Sequence, residues 1–278
     1  MNASPMTVTV EIGGQRYRAH PARAISLAIP IDATDPRVLA FGVEPPSAQP
    51  LSGPGFVGET RRGGSCNVTA HRLVPHCHGT HTECVGHLVD EPLSVNDVLR
   101  ECLIPATLVS VRPETAPDGD RQITDGVLRA ALGHDGGLGS VRNDFHRAVI
   151  VRTLPNGTDK LRARYDGAVP LAYLTAAAGV LLAELGCEHL VVDLPSLDRM
   201  VDGGRLAAHR AFFGLAQGSR RLADATRRHC TATELAFVPD EVADGRYLLD
   251  LQLAPLASDA APSRPMLLPL DELAPEPA

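Results

Sequence analysis

The chain has 278 residues, of which 44% are hydrophobic and 21% are charged, and its formal net charge is −7. This composition is ordinary for a globular protein with a sizeable core, and the negative charge gives no electrostatic basis for binding nucleic acid. The amino-terminal residues lack a charged segment followed by a long apolar run, and the longest apolar stretch, residues 174–185, is too short to span a bilayer. We therefore expect a cytoplasmic protein that binds no membrane.

The first part of the chain predicts short strands around a long loop. Residues 7–18 alternate polar and apolar side chains around two consecutive glycines, which predicts a β-hairpin within an amino-terminal extension, residues 1–23. Residues 24–31, AISLAIPI, predict a buried strand. Residues 41–66 are rich in glycine and proline and predict a loop, which at this length is usually functional or mobile. A further strand is predicted over residues 68–74.

The next stretch, residues 75–91, reads PHCHGTHTECVGHLVDE and is rich in side chains that bind metals. Four of the eleven histidines of the chain lie within twelve of its residues. Imidazole, thiolate and carboxylate groups together suit a divalent transition metal such as zinc or manganese. Because side chains alternate along a strand, His81 and Glu83 are predicted to point to the same side. A turn that carries Cys77 or His78 can then close three ligands on one ion.

The remainder of the chain alternates between predicted helices and strands. Helices are predicted over residues 94–100, 124–132, 170–185 and 204–213, and strands over residues 106–111, 148–153, 188–194, 233–238 and 246–253. The proline-rich tail is predicted to be extended. No internal repeat or linker-like break is present, so we expect one domain over residues 1–278. Its mixture of a hairpin with a strand–helix–strand unit predicts a mixed α/β class.

The histidine-rich stretch also permits a structural metal site. Cys77, His78, His81 and Cys84 can in principle close a local site of two thiolates and two imidazoles. Their spacing is not that of a zinc finger, in which two ligand pairs lie about a dozen residues apart. A non-catalytic module with a structural zinc ion is therefore one alternative. A catalytic site requires ligands from other parts of the chain and an open position for water.

Segments from Cys77 to Leu256 resemble the cyclase family that includes the bacterial kynurenine formamidases and isatin hydrolases. The family signature, H-x-G-T-H-x-D-x-P-x-H, aligns with residues 77–87, which read C-H-G-T-H-T-E-C-V-G-H. Three later segments are also similar to the family: VVDLPSLDR (191–199), AHRAFFG (208–214) and TELAFVPDEVADGRYLLDLQLAPL (233–256). The resemblance implies the swivelling β/β/α domain of that family, within the mixed α/β class.

The resemblance also implies roles for individual side chains. His81, His209 and Glu234 align with metal ligands, and Glu83 stands where the family has an aspartate that can bridge two ions. His87 stands where the family has a histidine proposed as the general acid and base. The resemblance further implies one or two zinc ions, or manganese, and a homodimer or homotetramer with sites near subunit contacts. It implies no organic cofactor.

The chain departs from the family signature at three positions. Cys77 replaces the first histidine ligand, and because His76 and His78 flank it, three residues compete for this position. Cys77 keeps the spacing of the signature and is the preferred ligand; its thiolate would favour zinc over manganese. Glu83 is one methylene longer than aspartate, and Val85 replaces a proline. These departures indicate a distinct subfamily with its own substrate.

The combined prediction is a metal-dependent hydrolase that acts on a small molecule. It would cleave an amide, a formamide or a cyclic carbonyl with metal-activated water, in the manner of an arylformamidase, with His87 as acid and base. A second hypothesis on the same scaffold is a metal-assisted cyclase of a polyketide-like substrate. Ser196 and Asp198 are candidates for positioning groups near the site. Phe41 is one of few aromatic side chains on which a ring-bearing substrate can stack.

Overall fold

A large mixed β-sheet carries many of the strands of this protein. The computed structural model describes residues 6–35, 37–133, 143–167 and 170–274, so both ends of the predicted domain, residues 1–5 and 275–278, lie outside the described residues. The strands are β1 (Val8–Ile12), β2 (Gln15–Ala19), β3 (Ile25–Ser26), β4 (Leu39–Ala40), β5 (Ser47–Pro50), β6 (Ser52–Gly53), β7 (Phe56–Val57), β8 (Thr69–Arg72), β9 (His81–Cys84), β10 (Ile104–Val111), β11 (Glu114–Thr115), β12 (Arg121–Ile123), β13 (Ala148–Thr153), β14 (Arg164–Tyr165), β15 (Ala172–Leu174), β16 (His189–Val192), β17 (Thr231–Glu234), β18 (Gly245–Asp250), β19 (Ala260–Pro262) and β20 (Met266–Glu272). The α-helices are α1 (Pro75–His78), α2 (Val95–Val98), α3 (Asp125–Gly133), α4 (Ala176–Glu184) and α5 (Ala207–Phe213).

The centre of the sheet is parallel and its margins are antiparallel. In the described part of the chain, eleven strands join one sheet in the order β1-β2-β20-β18-β10-β13-β16-β17-β9-β19, with β3 beside β20. Strands β10, β13, β16 and β17 run parallel to one another. Strand β9 runs antiparallel to β17, so the start of β9 lies at the carboxyl edge of the parallel strands. Ligands of open α/β sheets bind beyond this edge.

The parallel strands are buried on both faces of the sheet. In β13, Val149 and Val151 join the core that the sheet shares with α3, α4 and α5, and Ile150 joins the core of the opposite face. Strands buried on both faces have nearly continuous apolar sequences, which is why AVIVRT predicts this strand. Helices α4 and α5 pack closely, since a Cβ at Gly179 would lie 2.8 Å from the carbonyl oxygen of Ala208. This contact sets the position of α5 over the sheet.

The arrangement confirms the mixed α/β class predicted from the sequence. The predicted hairpin is present as β1 and β2, and the strand predicted over residues 148–153 matches β13. The strand predicted over residues 24–31 is wrong for most of its length, since only Ile25–Ser26 forms one. Beyond it, the N–H of Leu27 bonds to the carbonyl of Pro265, and the N–H of Ile29 bonds to the hydroxyl of Thr80. Ala28 forms only an isolated antiparallel bridge with Ala236, so no continuous ladder extends beyond Ser26.

The helix predicted over residues 170–185 begins later than expected. The hydroxyl of Thr175 accepts the N–H of Ala178 at 3.2 Å and caps α4, so the helix starts at Ala176. The residues before this cap form β15, which pairs with β12. None of the helices in the described ranges is long and apolar enough to cross a membrane.

The strand predicted over residues 233–238 is also misplaced. Strand β17 covers Thr231–Glu234, because Leu235 adopts the left-handed conformation with a φ of 53° and interrupts the extended chain. The chain turns away directly after Glu234, which leaves this side chain at the carboxyl edge of the sheet.

The region predicted as a loop over residues 41–66 contains short ladders. Strand β5 pairs with β8, and β6 pairs with β7. All residues of β8 are exposed, so this region stands away from the core. Phe41, at its beginning, is 45% exposed and has a φ of 60°.

Candidate metal centre

Strands β9 and β17 bring three ligand-type side chains together. His81 and Glu83 alternate along β9 and share one side, as predicted, and Glu234 is paired with His81 in the register of the two strands. The Nε2 atom of His81 lies 3.4 Å from Oε2 of Glu234. One ligand atom from each of these residues lies within 4.8 Å of the others, and all three residues are buried.

Helix α5 adds His209 to this group. The Nε2 atom of His209 lies 2.9 Å from Oε1 of Glu83 and 3.3 Å from Oε1 of Glu234. Its Nδ1 atom donates to Asp198 at 2.6 Å. The same carboxylate accepts the backbone N–H groups of Ala208 and His209, at 2.7 and 3.1 Å. Asp198 therefore holds both the start of the helix and the orientation of the imidazole ring.

A second group of side chains lies beside the first. The Nε2 atom of His76 lies 3.4 Å from Oε2 of Glu83 and 3.2 Å from Oδ2 of Asp259. His87 donates from Nδ1 to the same oxygen of Asp259 at 3.3 Å, and its ring centroid is 4.6 Å from that of His76. Sequence reasoning missed Asp259. Its only signal is an isolated acidic residue in the tail, which is too common a pattern to identify a site.

His78 and Cys84, two residues of the local structural-zinc alternative, have other partners. His78 accepts the N–H of Val74 at Nδ1 and donates from Nε2 to the carbonyl of Glu44, each at 2.9 Å. The thiol of Cys84 lies 3.8 Å from the carbonyl of Leu93. The four residues of the local structural-zinc alternative therefore do not converge.

Cys77 is buried beside the cluster. Burial and then the charge of Glu234 raise the pKa of its thiol. Among the described residues, its sulfur belongs to none of the groups of neighbouring ligand atoms. Its role as a ligand stays a prediction.

Electrostatics and hydrogen bonding show that this donor set fits a cation. The Nε2 atoms of His76, His81 and His209 lie 2.9–3.4 Å from carboxylate oxygens, but none of these contacts has hydrogen-bond geometry. These three nitrogens and both carboxylate oxygens of Glu83 are therefore buried without a hydrogen bond. Unpaired buried polar atoms are rare because each costs free energy. In the described residues, Glu83 and Glu234 form ion pairs only with histidines and with no lysine or arginine, and Glu234 also accepts the N–H of Leu197 at 2.7 Å. Nitrogen and oxygen donors of this kind suit zinc or manganese.

The titration behaviour of these residues reflects the same convergence. Burial opposes ionisation of Glu83, but the nearby His87 and His209 hold its pKa below the usual value. Burial likewise opposes ionisation of Glu234, but the close approach of His209 and His81 holds its pKa well below the usual value. Burial favours neutral His209, but the charge of Glu83 and the bond to Asp198 raise its pKa well above the usual value. Two buried carboxylates thus demand a positive charge between them.

A cavity of about 320 Å³ lies next to these ligands, a size suited to a small molecule. It is lined by Phe41, His76, Glu83, His87, Ser196, Arg199, Met200, Asp202, Leu206, His209 and Glu234. Phe41 and Leu206 in its wall have φ values of 60° and 46°. Left-handed backbone at non-glycine residues is costly and clusters at functional sites.

Comparison with known proteins identifies the family. The family model described as putative cyclase matches residues 25–199, more than half of the chain. The chain therefore belongs to this family, and the resemblance predicted from the sequence is confirmed. No curated protein sequence matches the chain.

Solved structures share this fold. Isatin hydrolase A from Labrenzia aggregata, bound to benzyl benzoate, has a TM-score of 0.60 and 16% identity, over 88% of this chain and 93% of that chain. Isatin hydrolase A from Ralstonia solanacearum has a TM-score of 0.56 and 16% identity, over 88% and 91% of the two chains. A predicted metal-dependent hydrolase from Bacillus stearothermophilus has a TM-score of 0.56 and 17% identity, over 88% and 98%. At identities this low, the likeness shows a shared fold.

Proposed function

We propose that this cyclase-family protein is a metal-dependent hydrolase that cleaves an amide, a formamide or a cyclic carbonyl, in the manner of an arylformamidase. The observation that carries the proposal is the convergence of unpartnered buried donor atoms from His81, Glu83 and His209 beside a cavity of small-molecule size. Two of the proteins with this fold are isatin hydrolases. A structural zinc site accounts less well for the geometry, because its ligands would have to come from β9, β17 and α5 together.

His81, Glu83, His209 and Glu234 are the residues that would hold one or two zinc ions, with manganese as the alternative metal. The family signature adds Cys77 as a further ligand. When bound, the metal supplies Lewis acidity, which lowers the pKa of water toward neutrality and polarises a carbonyl group. His81 is prepared for this role, since its Nδ1 donates to the carbonyl of Gly79 at 3.1 Å and leaves Nε2 free as a ligand atom.

His87 is the proposed general acid and base. Its Nδ1 is bonded to Asp259, so Nε2 is the atom that exchanges a proton in the cavity. The charge of Glu83 raises the pKa of His87, and burial opposes this shift. His87 takes a proton from the attacking water and returns it to the leaving nitrogen, so that no net proton is gained by the protein.

The cavity wall provides apolar contacts for the substrate. Phe41, Met200 and Leu206 are the apolar residues among those that line it, and they contribute no ionisable group. We propose a small, compact carbonyl compound as the substrate. We also propose a cytoplasmic homodimer or homotetramer, as the family resemblance implies.

The metal content of the purified, untagged protein and of Glu234→Ala tests the proposal. We expect the wild type to retain metal and the variant to lose most of it, because Glu234 joins the cluster from a distant segment. Retention of metal by Glu234→Ala would favour the local structural-zinc alternative. A screen of formamides, lactams and lactones then follows, with His87→Ala as the variant that keeps metal and loses turnover. Carbon–carbon bond formation without incorporation of water oxygen would instead support the cyclase alternative.

A further inference from the structure

We infer that His76, and not Cys77, is the metal ligand that helix α1 supplies. The inference rests on the proposed metal centre and changes its chemistry. The family signature places the first ligand at Cys77, and the structure brings the preceding side chain to the cluster. The centre then contains only nitrogen and oxygen donors.

The geometry of α1 separates the three candidates for this position. The helix is a single turn, Pro75–His78, and successive side chains on a helix diverge by about 100°. The ring of His76 lies 5.3 Å from that of His81, and its Nε2 atom lies 3.4 Å from Oε2 of Glu83. Because neighbouring side chains of this turn point in different directions, the turn can direct only one of His76, Cys77 and His78 at the cluster, and it directs His76 there.

The nitrogen atoms of His76 and His78 are in opposite situations. Both ring nitrogens of His78 are engaged, one as an acceptor from Val74 and one as a donor to Glu44, so no lone pair is left for a metal. The Nε2 atom of His76 is buried and has no hydrogen-bond partner, although Glu83 and Asp259 are near. A cation bound at this point could take Nε2 of His76 and a nearby carboxylate oxygen as ligands at the same time.

The charge balance of the cluster also favours His76 over Cys77. Glu83 and Glu234 already place two buried carboxylates in the cluster, and no lysine or arginine in the described ranges pairs with them. In a centre with a single divalent ion, two carboxylates already balance the charge of the metal. A thiolate would add a third buried negative charge, whereas an imidazole adds none. The predicted preference for zinc over manganese, which depends on a thiolate, then does not apply.

Cobalt(II) is the probe that separates the two ligands without any substrate. A thiolate ligand produces a sulfur-to-cobalt charge-transfer band in the near ultraviolet, and a nitrogen and oxygen centre does not. Metal-free full-length protein is titrated with cobalt, and the affinity is measured by competition with a chromogenic chelator. We expect the first equivalent to bind without this band. We expect Cys77→Ser to keep the spectrum and affinity of the wild type.

Matched variants of the same helical turn complete the test. His76→Ala should weaken cobalt binding by at least about tenfold, and His78→Ala should leave it within about twofold of the wild type. His76→Gln is the second variant should the alanine variant fold poorly. A charge-transfer band that disappears in Cys77→Ser would overturn the inference, and so would unchanged affinity in both His76 variants. A wild type that binds neither cobalt nor zinc would overturn the metal centre as a whole, and this result is distinct from both.

Discussion

Two buried polar clusters lie at the carboxyl edge of the same parallel strands and differ in how fully they are satisfied. Asp193 follows β16, and its carboxylate accepts the N–H and hydroxyl of Thr153 at 2.8 and 2.9 Å and the ammonium of Lys160 at 2.6 Å. Lys160 is also bonded to the carbonyl of Thr153 and to the amide oxygen of Asn156. Each charge in this cluster therefore has a counter-charge or a hydrogen-bond partner from the chain itself.

The candidate metal centre has the same location and burial but lacks this balance. Glu83 and Glu234 are as deeply buried as Asp193, yet both oxygens of Glu83 have no hydrogen-bond partner. The difference shows how structural and functional burial can be told apart at one sheet edge. A satisfied cluster needs no further group, whereas buried polar atoms without hydrogen bonds indicate a site for a bound group such as the proposed cation.

The largest expected effect is on the satisfied cluster. Asp193→Ala removes the counter-charge of Lys160, a largely covered ammonium, and should lower the free energy of unfolding by about 3 kcal/mol. Urea unfolding of the metal-free protein measures this change, and the metal affinity of the folded variant should stay within about twofold of the wild type. The double variant Asp193→Leu with Lys160→Met should recover part of the loss, because it removes both charges. If Asp193→Ala lowers the free energy of unfolding only slightly, the pair of Asp193 and Lys160 contributes little to stability.

Removal of the metal should produce the next largest change. With free metal at about 100 times its dissociation constant, binding adds about 2.7 kcal/mol of stability, which chelation removes. We expect a lower thermal midpoint with an unchanged far-ultraviolet circular dichroism spectrum at room temperature. The satisfied cluster and the rest of the core carry the fold without the ion. Loss of the folded spectrum on chelation would instead indicate a structural site.

Residues of the candidate metal centre differ in how well the sequence predicts them. The common side of His81 and Glu83 follows from strand alternation, which depends only on neighbouring residues. His209 and Glu234 could be named only through the family resemblance, because a single histidine on a helix or glutamate on a strand has no distinctive local pattern. The contacts of Asp259 depend on how the carboxyl-terminal tail returns to β9, and no local rule describes such a return.

The same distinction applies to the fold. Strand β13 was predicted at its observed bounds, because a continuous apolar run needs no knowledge of its neighbours. The start of α4 was misplaced, since the pairing of β15 with β12 outweighs the helical tendency of the residues after Pro170. The end of β17 was misplaced because Leu235 adopts a left-handed conformation, which ends the strand and which no local sequence pattern predicts. Prediction failed where partners distant in sequence decide the local structure.

A positioning residue should have an intermediate effect. Asp198→Asn removes the carboxylate that accepts Nδ1 of His209 and should weaken metal binding by about 10–100-fold, as is typical when such a partner is lost. Chelator competition measures the affinity. Asp120→Asn is the matched control, because Asp120 is a well-buried carboxylate paired with Arg199 and Tyr173 and contacts no proposed ligand. Equal losses in both variants would indicate a general effect on folding.

The smallest expected effect is the pH dependence of the stability of the metal-free protein, in which a proton on His209 takes the place of the cation. The free energy of unfolding should change by up to about 1.4 kcal/mol per pH unit. Burial lowers the pKa of His209, but Glu83 and the bond to Asp198 outweigh it, so in the metal-free protein its pKa is well above the usual value. A group whose folded pKa is raised adds stability that is complete below its unfolded pKa and is lost as the pH rises toward the folded pKa. The metal-free protein should therefore lose stability as the pH rises above about 6.5, while metal affinity rises because metal and proton compete for Nε2. Urea unfolding and chelator competition across this range test both slopes, and His209→Gln should abolish the first. If the stability of the metal-free protein does not fall as the pH rises, His209 carries no proton that replaces the cation. The charge balance of the candidate metal centre would then differ less from that of the Asp193 cluster than the hydrogen bonds indicate.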